Sequence, residues 1–380
     1  MGDTSRKRLT YVTDLEHTPS GGGAYAVNWH AFNELAKRFD VRYAGPIVPK
    51  QPWVDSSVSK FRRRILKRPG TYTYFSERTL DDNASRAMSR LAPGSDAIVF
   101  RSAARWCRSR PLVPYFIYLD AVTHTFFHNT FVEKDFIRSD LERIWRDEAR
   151  FLENASAVFF ESEWGLREAV SAYALSEHHY FVAGRGGVID PPGADSWDGK
   201  SHSLVTVAMN FRQKGGDILA EAYRRLKPHF PALSWHIIGG RPDFDPASID
   251  GITYEGVLKP DTPADAARLS EILSNAFLLV HPSREDTSPL VITEAAYFGC
   301  PAVSVNAFAI PELILNGRTG LLLDSPPQAA QLTDAIRTLL TDQQRYAQMR
   351  LDARSHSLAN FQWDRVGSVI CGGIAKVIGE

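Results

Sequence analysis

The chain has 380 residues, is 44% hydrophobic, and balances 44 Lys and Arg against 44 Asp and Glu, so no whole-molecule field favours a nucleic acid partner. A single core rarely grows past ~250 residues, so this length predicts two domains. Cys107, Cys300 and Cys371 are odd in number and widely spaced, which excludes a disulfide framework and a thiolate metal cluster and points to a reducing compartment. Residues 1–8 are polar and run into a strand, and no apolar stretch approaches the ~20 residues of a spanning helix. The expectation is a cytoplasmic protein.

In chain order, short apolar runs alternate with amphipathic segments, the pattern of parallel strands joined by crossover helices. The first half predicts strands at 9–13, 41–44, 97–100, 115–119, 157–160 and 180–182. The turn Ser20-Gly21-Gly22-Gly23-Ala24-Tyr25 opens a helix carrying Val27, Trp29, Phe32 and Leu35, and its glycines would let backbone approach a ligand. It lacks the G-x-G-x-x-G spacing, and strand 41–44 does not end in an acid, which argues against a nicotinamide dinucleotide. The run 60–68 holds Lys60, Arg62, Arg63, Arg64, Lys67 and Arg68 with apolar residues between them. It reads either as a solvated face or as a segment lying on an anionic membrane surface, at the inner face of the membrane. After strand 115–119 come Asp120, His124 and His128.

Gly184-Arg185-Gly186-Gly187 and Asp190-Pro191-Pro192-Gly193-Ala194-Asp195 suit a hinge. The domain boundary is placed there, giving 1–188 and 189–360. The second half predicts strands at 204–208, 235–238, 252–254, 276–280, 302–305 and 321–323. Two such doubly wound domains facing each other would set the carboxyl ends of both sheets around one central cleft. Asp243-Phe244-Asp245 has a metal-binding form but sits in a turn, where Asx-turn chemistry explains it, and no metal or cofactor is expected.

The densest signal is the run from His281 to Ala295, where strand 276–280 turns over into a helix beginning near Leu290. A helix start is a ready anion site. Asp286 and Glu294, with seven residues between them, would flank it, each accepting hydroxyl hydrogen bonds, one from a sugar and one from a ribose. That spacing fits a nucleotide diphosphate sugar.

Pro282-Ser283, Asp286, Glu294-Ala295, Gly299, Pro301, Pro311-Glu312-Leu313-Ile314 and Asn316-Gly317-Arg318-Thr319-Gly320 follow in an order that resembles the donor half of the retaining enzymes of glycosyltransferase family 4. Phe211-Arg212-Gln213-Lys214-Gly215-Gly216-Asp217 resembles the family's diphosphate loop. The resemblance implies an α/β fold of GT-B type, two Rossmann-like domains, with segment 361–380 returning to the first. It also implies a metal-independent retaining hexosyltransferase acting on a glycan or lipid-linked acceptor in glycan, polysaccharide or glycolipid biosynthesis. The donor-binding set it implies is Gly22, Gly23, Arg212, Lys214, Asp286, Thr287, Ser288, Pro289, Leu290, Val291 and Glu294. Asp120, His124 and Asp286 are the implied catalytic residues. The family usually has Glu where this chain has Asp286, and Glu285 stands beside it, so either could contact the sugar. A decayed scaffold that only binds glycan, or a nucleotide-sugar epimerase or hydrolase, shares the same architecture.

Overall fold

The computed structural model describes residues 6–20, 22–129, 133–176 and 179–379. Gly21 of the glycine-rich turn and residues 1–5 lie outside them. In chain order the elements are β1 (Arg8–Val12), α1 (Gly23–Arg38), β2 (Asp40–Ala44), α2 (Trp53–Arg64), α3 (Glu77–Ser89), β3 (Ala97–Arg101), β4 (Tyr115–Leu119), α4 (Thr123–Asn129), α5 (Arg138–Glu153), β5 (Ala157–Phe160), α6 (Glu163–Tyr173) and β6 (Tyr180–Val182). They continue with β7 (Ser203–Ala208), α7 (Gly216–Leu226), β8 (Ser234–Gly239), β9 (Ile252–Gly256), α8 (Pro263–Asn275), β10 (Ala276–His281), α9 (Leu290–Tyr297), β11 (Ala302–Val305), α10 (Ile310–Leu313), β12 (Gly320–Leu323), α11 (Ala329–Thr341), α12 (Gln343–Asn360) and α13 (Trp363–Ile378).

The chain divides into two units, one running to Arg185 and resuming at Trp363, the other Gly186–Gln362. Each contains a six-stranded sheet, and every recorded strand pairing is parallel. Parallel strands covered on both faces must be apolar on both faces. The central strands obey this: β3, β4, β5 and β10 are buried along their whole length.

In the first unit the order is β2-β1-β3-β4-β5-β6, and in the second β12-β11-β10-β7-β8-β9. Both orders reverse direction once, between β1 and β3 and between β7 and β10. At such a reversal the flanking connections leave for opposite sides, opening a crevice at the carboxyl ends of the strands. In the first unit Gly22, at that end, has φ 96 and ψ −177 with nothing within 4 Å of a built Cβ, so glycine is needed there for backbone conformation, not for space.

The last helix belongs to the first unit because α13 packs on α1. Val366, Ile370 and Ile374 are buried, Gly367 leaves room for Glu34, His30 stacks on Trp363 at 5.0 Å, and Lys37 bridges Glu34 and Asp364 at 2.7 and 2.6 Å.

The division falls between Arg185 and Gly186, ahead of the sequence-based boundary at 188, and the stretch read as a hinge is mostly docked. Gly184 O accepts from the Tyr118 hydroxyl at 2.9 Å and Arg185 pairs with Glu161 at 3.1 Å, both in the first unit. Beyond it, Gly187 N donates to the Tyr297 hydroxyl at 2.9 Å and Val188 N to Glu294 at 3.0 Å. Asp195 takes two bonds from Arg350, at 2.9 and 2.6 Å. Gly187 serves close packing, with Tyr297 Cε2 2.7 Å from its built Cβ, whereas Gly184 has φ 78 and nothing lies within 4 Å of a built Cβ at Gly184 or Gly193.

In the second unit the loops after β7 and β10 meet at Gly215. Its φ is 78, and a Cβ would lie 2.1 Å from the Pro282 carbonyl oxygen. Both the backbone region and the space demand glycine. Gly215→Ala is expected to cost at least about 2 kcal/mol, seen as a melting temperature several degrees lower in calorimetry, whereas Gly193→Ala, where nothing lies within 4 Å, should leave it nearly unchanged.

Candidate active site

Two adjacent loops build the site in the second unit. β7 pairs with β10, so the loops after these strands start side by side, and side chains stitch them together. Arg284 N donates to Gln213 O at 3.0 Å, and the Arg284 guanidinium holds both carboxylate oxygens of Asp217 at 2.8 and 2.9 Å. Gln213 Nε2 donates to Glu285 Oε2 at 2.7 Å. Asp217 opens α7, where an acid suits the helix dipole, and the Arg284 contact outweighs its burial to hold its pKa below the ordinary value.

This stitching brings Lys214, Asp286 and His281 together. Lys214 Nζ donates to Glu285 O at 2.9 Å and to Asp286 Oδ2 at 2.7 Å. The same Oδ2 lies 3.0 Å from His281 Nε2. Oδ1 of Asp286 has no partner among the described residues. Burial alone would raise the Asp286 carboxyl, but contact with His281 and Lys214 outweighs it and holds the pKa below the usual carboxylate range. Glu285, the rival for the sugar contact, has its side chain turned to Gln213 instead.

His281 was absent from the sequence-based site because it reads as the end of an apolar strand. It is the last residue of β10 and only 1% exposed. Its carbonyl accepts from Ser304 Oγ at 2.6 Å and Ser283 N at 2.8 Å, and Nδ1 is buried without a partner among the described residues. The available signal was a polar ring ending a buried strand five positions before Asp286.

The helix expected near Leu290 begins there. Pro289 is its N-cap and supplies no side-chain bond, and no acid lies in the first turn. The amides of Leu290 and Val291 are therefore left for an anion. Thr287 O accepts from Ala309 N at 2.9 Å, which ties the Asp286–Pro289 turn to the start of α10. Glu294 is 7% exposed rather than a solvated helix residue.

Arg212 does not join this cluster. Its side chain is 73% exposed and meets Asp243 at 3.6 Å, while only its backbone carbonyl engages the site, accepting from Arg284. Asp245 caps the turn Pro246–Ser248 through Ala247 N at 3.2 Å. Among the described residues no group of three or more His, Cys, Asp or Glu side chains is placed to hold a metal.

In the first unit Asp120 is exposed at the end of β4, its Oδ1 accepting from Ala121 N at 2.8 Å. His124 lies in α4, its ring centroid 4.7 Å from that of Trp145 in an edge-on contact and 6.2 Å from that of His128 in a stacked one. Burial, then the neighbouring His128, lowers its pKa. α4 is anchored below by Glu148, which accepts from Thr123 N at 2.9 Å, from the Thr123 hydroxyl and from Tyr173 at 2.6 Å. Burial raises the Glu148 pKa despite those bonds.

Two doubly wound parallel-sheet units, one carrying a cation, a paired carboxylate and an open helix start at its reversal point, define a GT-B fold. Residues 194–356, all within the second unit, match the family model of the group 1 glycosyl transferases. The whole chain is similar in fold to sucrose-phosphate synthase from Thermosynechococcus elongatus, with a TM-score of 0.71 and 16% identity over 98% of this chain and 99% of that one. It also resembles Anabaena HepE solved with UDP and glucose, with a TM-score of 0.61 and 16% identity over 97% of this chain and 100% of that one. Among curated proteins, D-inositol 3-phosphate glycosyltransferase of Arthrobacter sp. (strain FB24) is 26% identical over 245 residues, 58% of this chain and 56% of that protein. A GDP-mannose-dependent α-(1-6)-phosphatidylinositol monomannoside mannosyltransferase of Mycolicibacterium smegmatis is 28% identical over 174 residues, 43% and 45% of the two. The chain thus spans about half the length of the curated relatives it matches.

A carboxyl whose pKa is depressed on folding contributes stability that is present above its unfolded pKa of about 3.9 and is lost as pH falls through the lower folded value. Asp286→Asn should therefore lower the unfolding free energy at pH 7, with the difference from the parent narrowing as pH falls below about 4. Denaturant melts across pH 3–8 measure this, and a difference that stays constant down to pH 3 would contradict the pairing.

Proposed function

We propose that this chain is a retaining glycosyltransferase that moves a hexose from a nucleotide diphosphate sugar to a hydroxyl of a glycan or lipid-linked acceptor. The carrying observation is the Lys214–Asp286–His281 cluster beside the uncapped start of α9. Support comes from the similar proteins above, which transfer sugars to inositol phosphate or phosphatidylinositol mannoside by name, and from HepE, which holds UDP.

As the bond between the anomeric carbon and the diphosphate breaks, negative charge grows on the leaving oxygen and positive charge on the ring. The first needs cations and N–H donors. Lys214 has three ammonium hydrogens and uses two on Glu285 O and Asp286, leaving one for a phosphate oxygen. The amides of Leu290 and Val291 add neutral donors and the helix dipole. Asp286 Oδ1 accepts a sugar hydroxyl, and Glu294 accepts from the ribose. The departing phosphate oxygen takes the acceptor hydroxyl's proton while the new C–O bond forms on the same face, so no protein nucleophile is needed. In this reading Asp120 and His124 contribute to catalysis, Gly22 and Gly23 to donor binding, and Arg212 swings from solvent toward the diphosphate. The protein cations and helix start replace a divalent metal. The basic segment 60–68 faces an anionic membrane, which fits a lipid-linked acceptor.

Diphosphate release from a panel of UDP-, GDP- and ADP-sugars tests the reading. One donor should turn over only with acceptor present, and a thermal shift should accompany its binding. Donor binding without release would indicate a decayed scaffold; conversion without acceptor would indicate an epimerase or hydrolase. Lys214→Met is expected to lower kcat/KM at least about 100-fold.

His281 should act through Nε2. Gln places its amide nitrogen near that position and Asn nearer Nδ1, so His281→Gln should keep kcat within about tenfold of the parent, with His281→Asn lower by a further ~10-fold at similar donor KM. Equal losses in both variants would remove the assigned role.

A further inference from the structure

A helix on a protein surface normally turns its apolar stripe inward. α2 does the reverse. With about 3.6 residues per turn, Trp53, Val54, Val58 and Phe61 of α2 share one face with Ile65 just beyond its end. All five, with Leu66, are exposed, from 49% for Val54 to 79% for Trp53. The opposite face, Ser56, Ser59 and Arg63, is the one that docks. Ser59 is 3% exposed and its hydroxyl donates to Thr71 O at 2.7 Å. Gly70 passes so close beneath that a Cβ would lie 2.4 Å from Ser59 Oγ, and the Arg63 guanidinium lies 4.9 Å from the Phe136 ring centre. Arg63, expected among the outward cations, is thus half-buried as part of the inner face.

Small and polar residues hold the helix down, and its large apolar side chains face solvent. Cations border them: Lys60, Arg62, Arg64, Lys67 and Arg68 are exposed, and Asp55 is the one acid between residues 53 and 68. Lys67 has φ 51, and Arg68 N donates to Arg62 O at 3.0 Å, so the chain folds back and keeps these cations beside the helix.

We infer that α2 with residues 65–68 is a membrane-docking wedge: Trp53, Val54, Val58, Phe61 and Ile65 enter the acyl boundary of a bilayer whose anionic headgroups are met by Lys60, Arg62, Arg64, Lys67 and Arg68. Charge complementarity commits the face to anionic lipid, since a neutral apolar partner would leave five cations unanswered. Trp53 at the first helical position suits the headgroup level, where tryptophan concentrates. No helix among the described residues is long and apolar enough to cross a membrane, so the segment lies in the surface. The inference rests on the transferase reading only in that a lipid-linked acceptor would be met at this surface.

The test is co-sedimentation of the full chain with phosphatidylcholine vesicles with and without phosphatidylglycerol. The parent should bind the anionic vesicles at least tenfold more tightly. Trp53→Ser/Phe61→Ser and Lys60→Gln/Arg64→Gln should each weaken that binding at least tenfold. At about 1 M salt, where the screening length is about 3 Å, the parent should keep a residue of binding that Trp53→Ser/Phe61→Ser lacks. Brominated acyl chains should quench the parent's fluorescence more than that of Trp53→Phe. Unchanged melting and an unchanged thermal shift with nucleoside diphosphate in Trp53→Ser/Phe61→Ser keep this test separate from the fate of the transferase reading. Absence of binding to anionic vesicles at low salt overturns the inference. So does a dimer in sedimentation equilibrium that Trp53→Ser/Phe61→Ser dissolves without vesicle binding by the parent, which assigns the face to a second copy of the chain. Binding lost entirely in high salt overturns the wedge, because a purely electrostatic contact inserts nothing.

Discussion

The pairing of β7 with β10 is the constraint from which the candidate site follows. These strands are far apart in sequence and adjacent in the sheet, and the order of strands reverses between them. Their following loops therefore begin together and need not be covered by a crossover, which leaves polar groups there accessible. Gly215 lets the loops touch, Arg284 bridges from one to Asp217 of the other, and Lys214 can then reach Asp286. A site spread over two chain segments gains its precision from backbone pairing, which costs little conformational freedom once the sheet has formed.

Electrostatics within this site favour an anion despite two nearby carboxylates. Asp286 is neutralised on Oδ2 by Lys214 and held there by His281 as well, so its repulsion of a phosphate is small and its other oxygen keeps a fixed direction. Aspartate is one methylene shorter than glutamate. A short side chain pinned by two donors loses less rotamer freedom on meeting a hydroxyl than a long solvated one. Lys214 behaves as a point charge with several donors and can serve the carboxylate and a phosphate oxygen at once. A guanidinium at that place would present its donors in one fixed plane, which restricts where its partners can lie.

Much of the fold was legible in the sequence because strands buried on both faces read as continuous apolar runs. The runs at 115–119, 157–160 and 302–305 coincide with β4, β5 and β11. The ends were less legible: β10 extends to His281, whose backbone pairs with Ser304 although its side chain is polar. Lys214, Asp286 and the start of α9 could be read from local order and spacing. The engagement of Glu285 by Gln213, the exposure of Arg212 and the docking of Asp195 on Arg350 could not, since each depends on a partner distant in sequence. The face turned outward by α2 was hidden for the same reason. Its periodicity is helical, and only the placement of Gly70 and Phe136 beneath Ser59 and Arg63 decides which side is covered.

Arg350 shows how the loop between β10 and α9 is kept in place from its far end. Its guanidinium donates to Ala276 O at 2.9 Å, at the start of β10, and to Phe298 O at 3.0 Å, just past the end of α9. Asp195 balances its charge at 2.6 Å, and that pairing outweighs burial to hold the Asp195 pKa below its ordinary value. One cation therefore ties together both ends of a strand–loop–helix unit, at the helix end where the dipole favours positive charge. With the ends fixed and β10 buried throughout, the intervening turn has few conformations left. The geometry of Asp286 and of the open amides at Leu290 and Val291 thus depends on groups that never reach the site as well as on the Lys214 and His281 contacts within it.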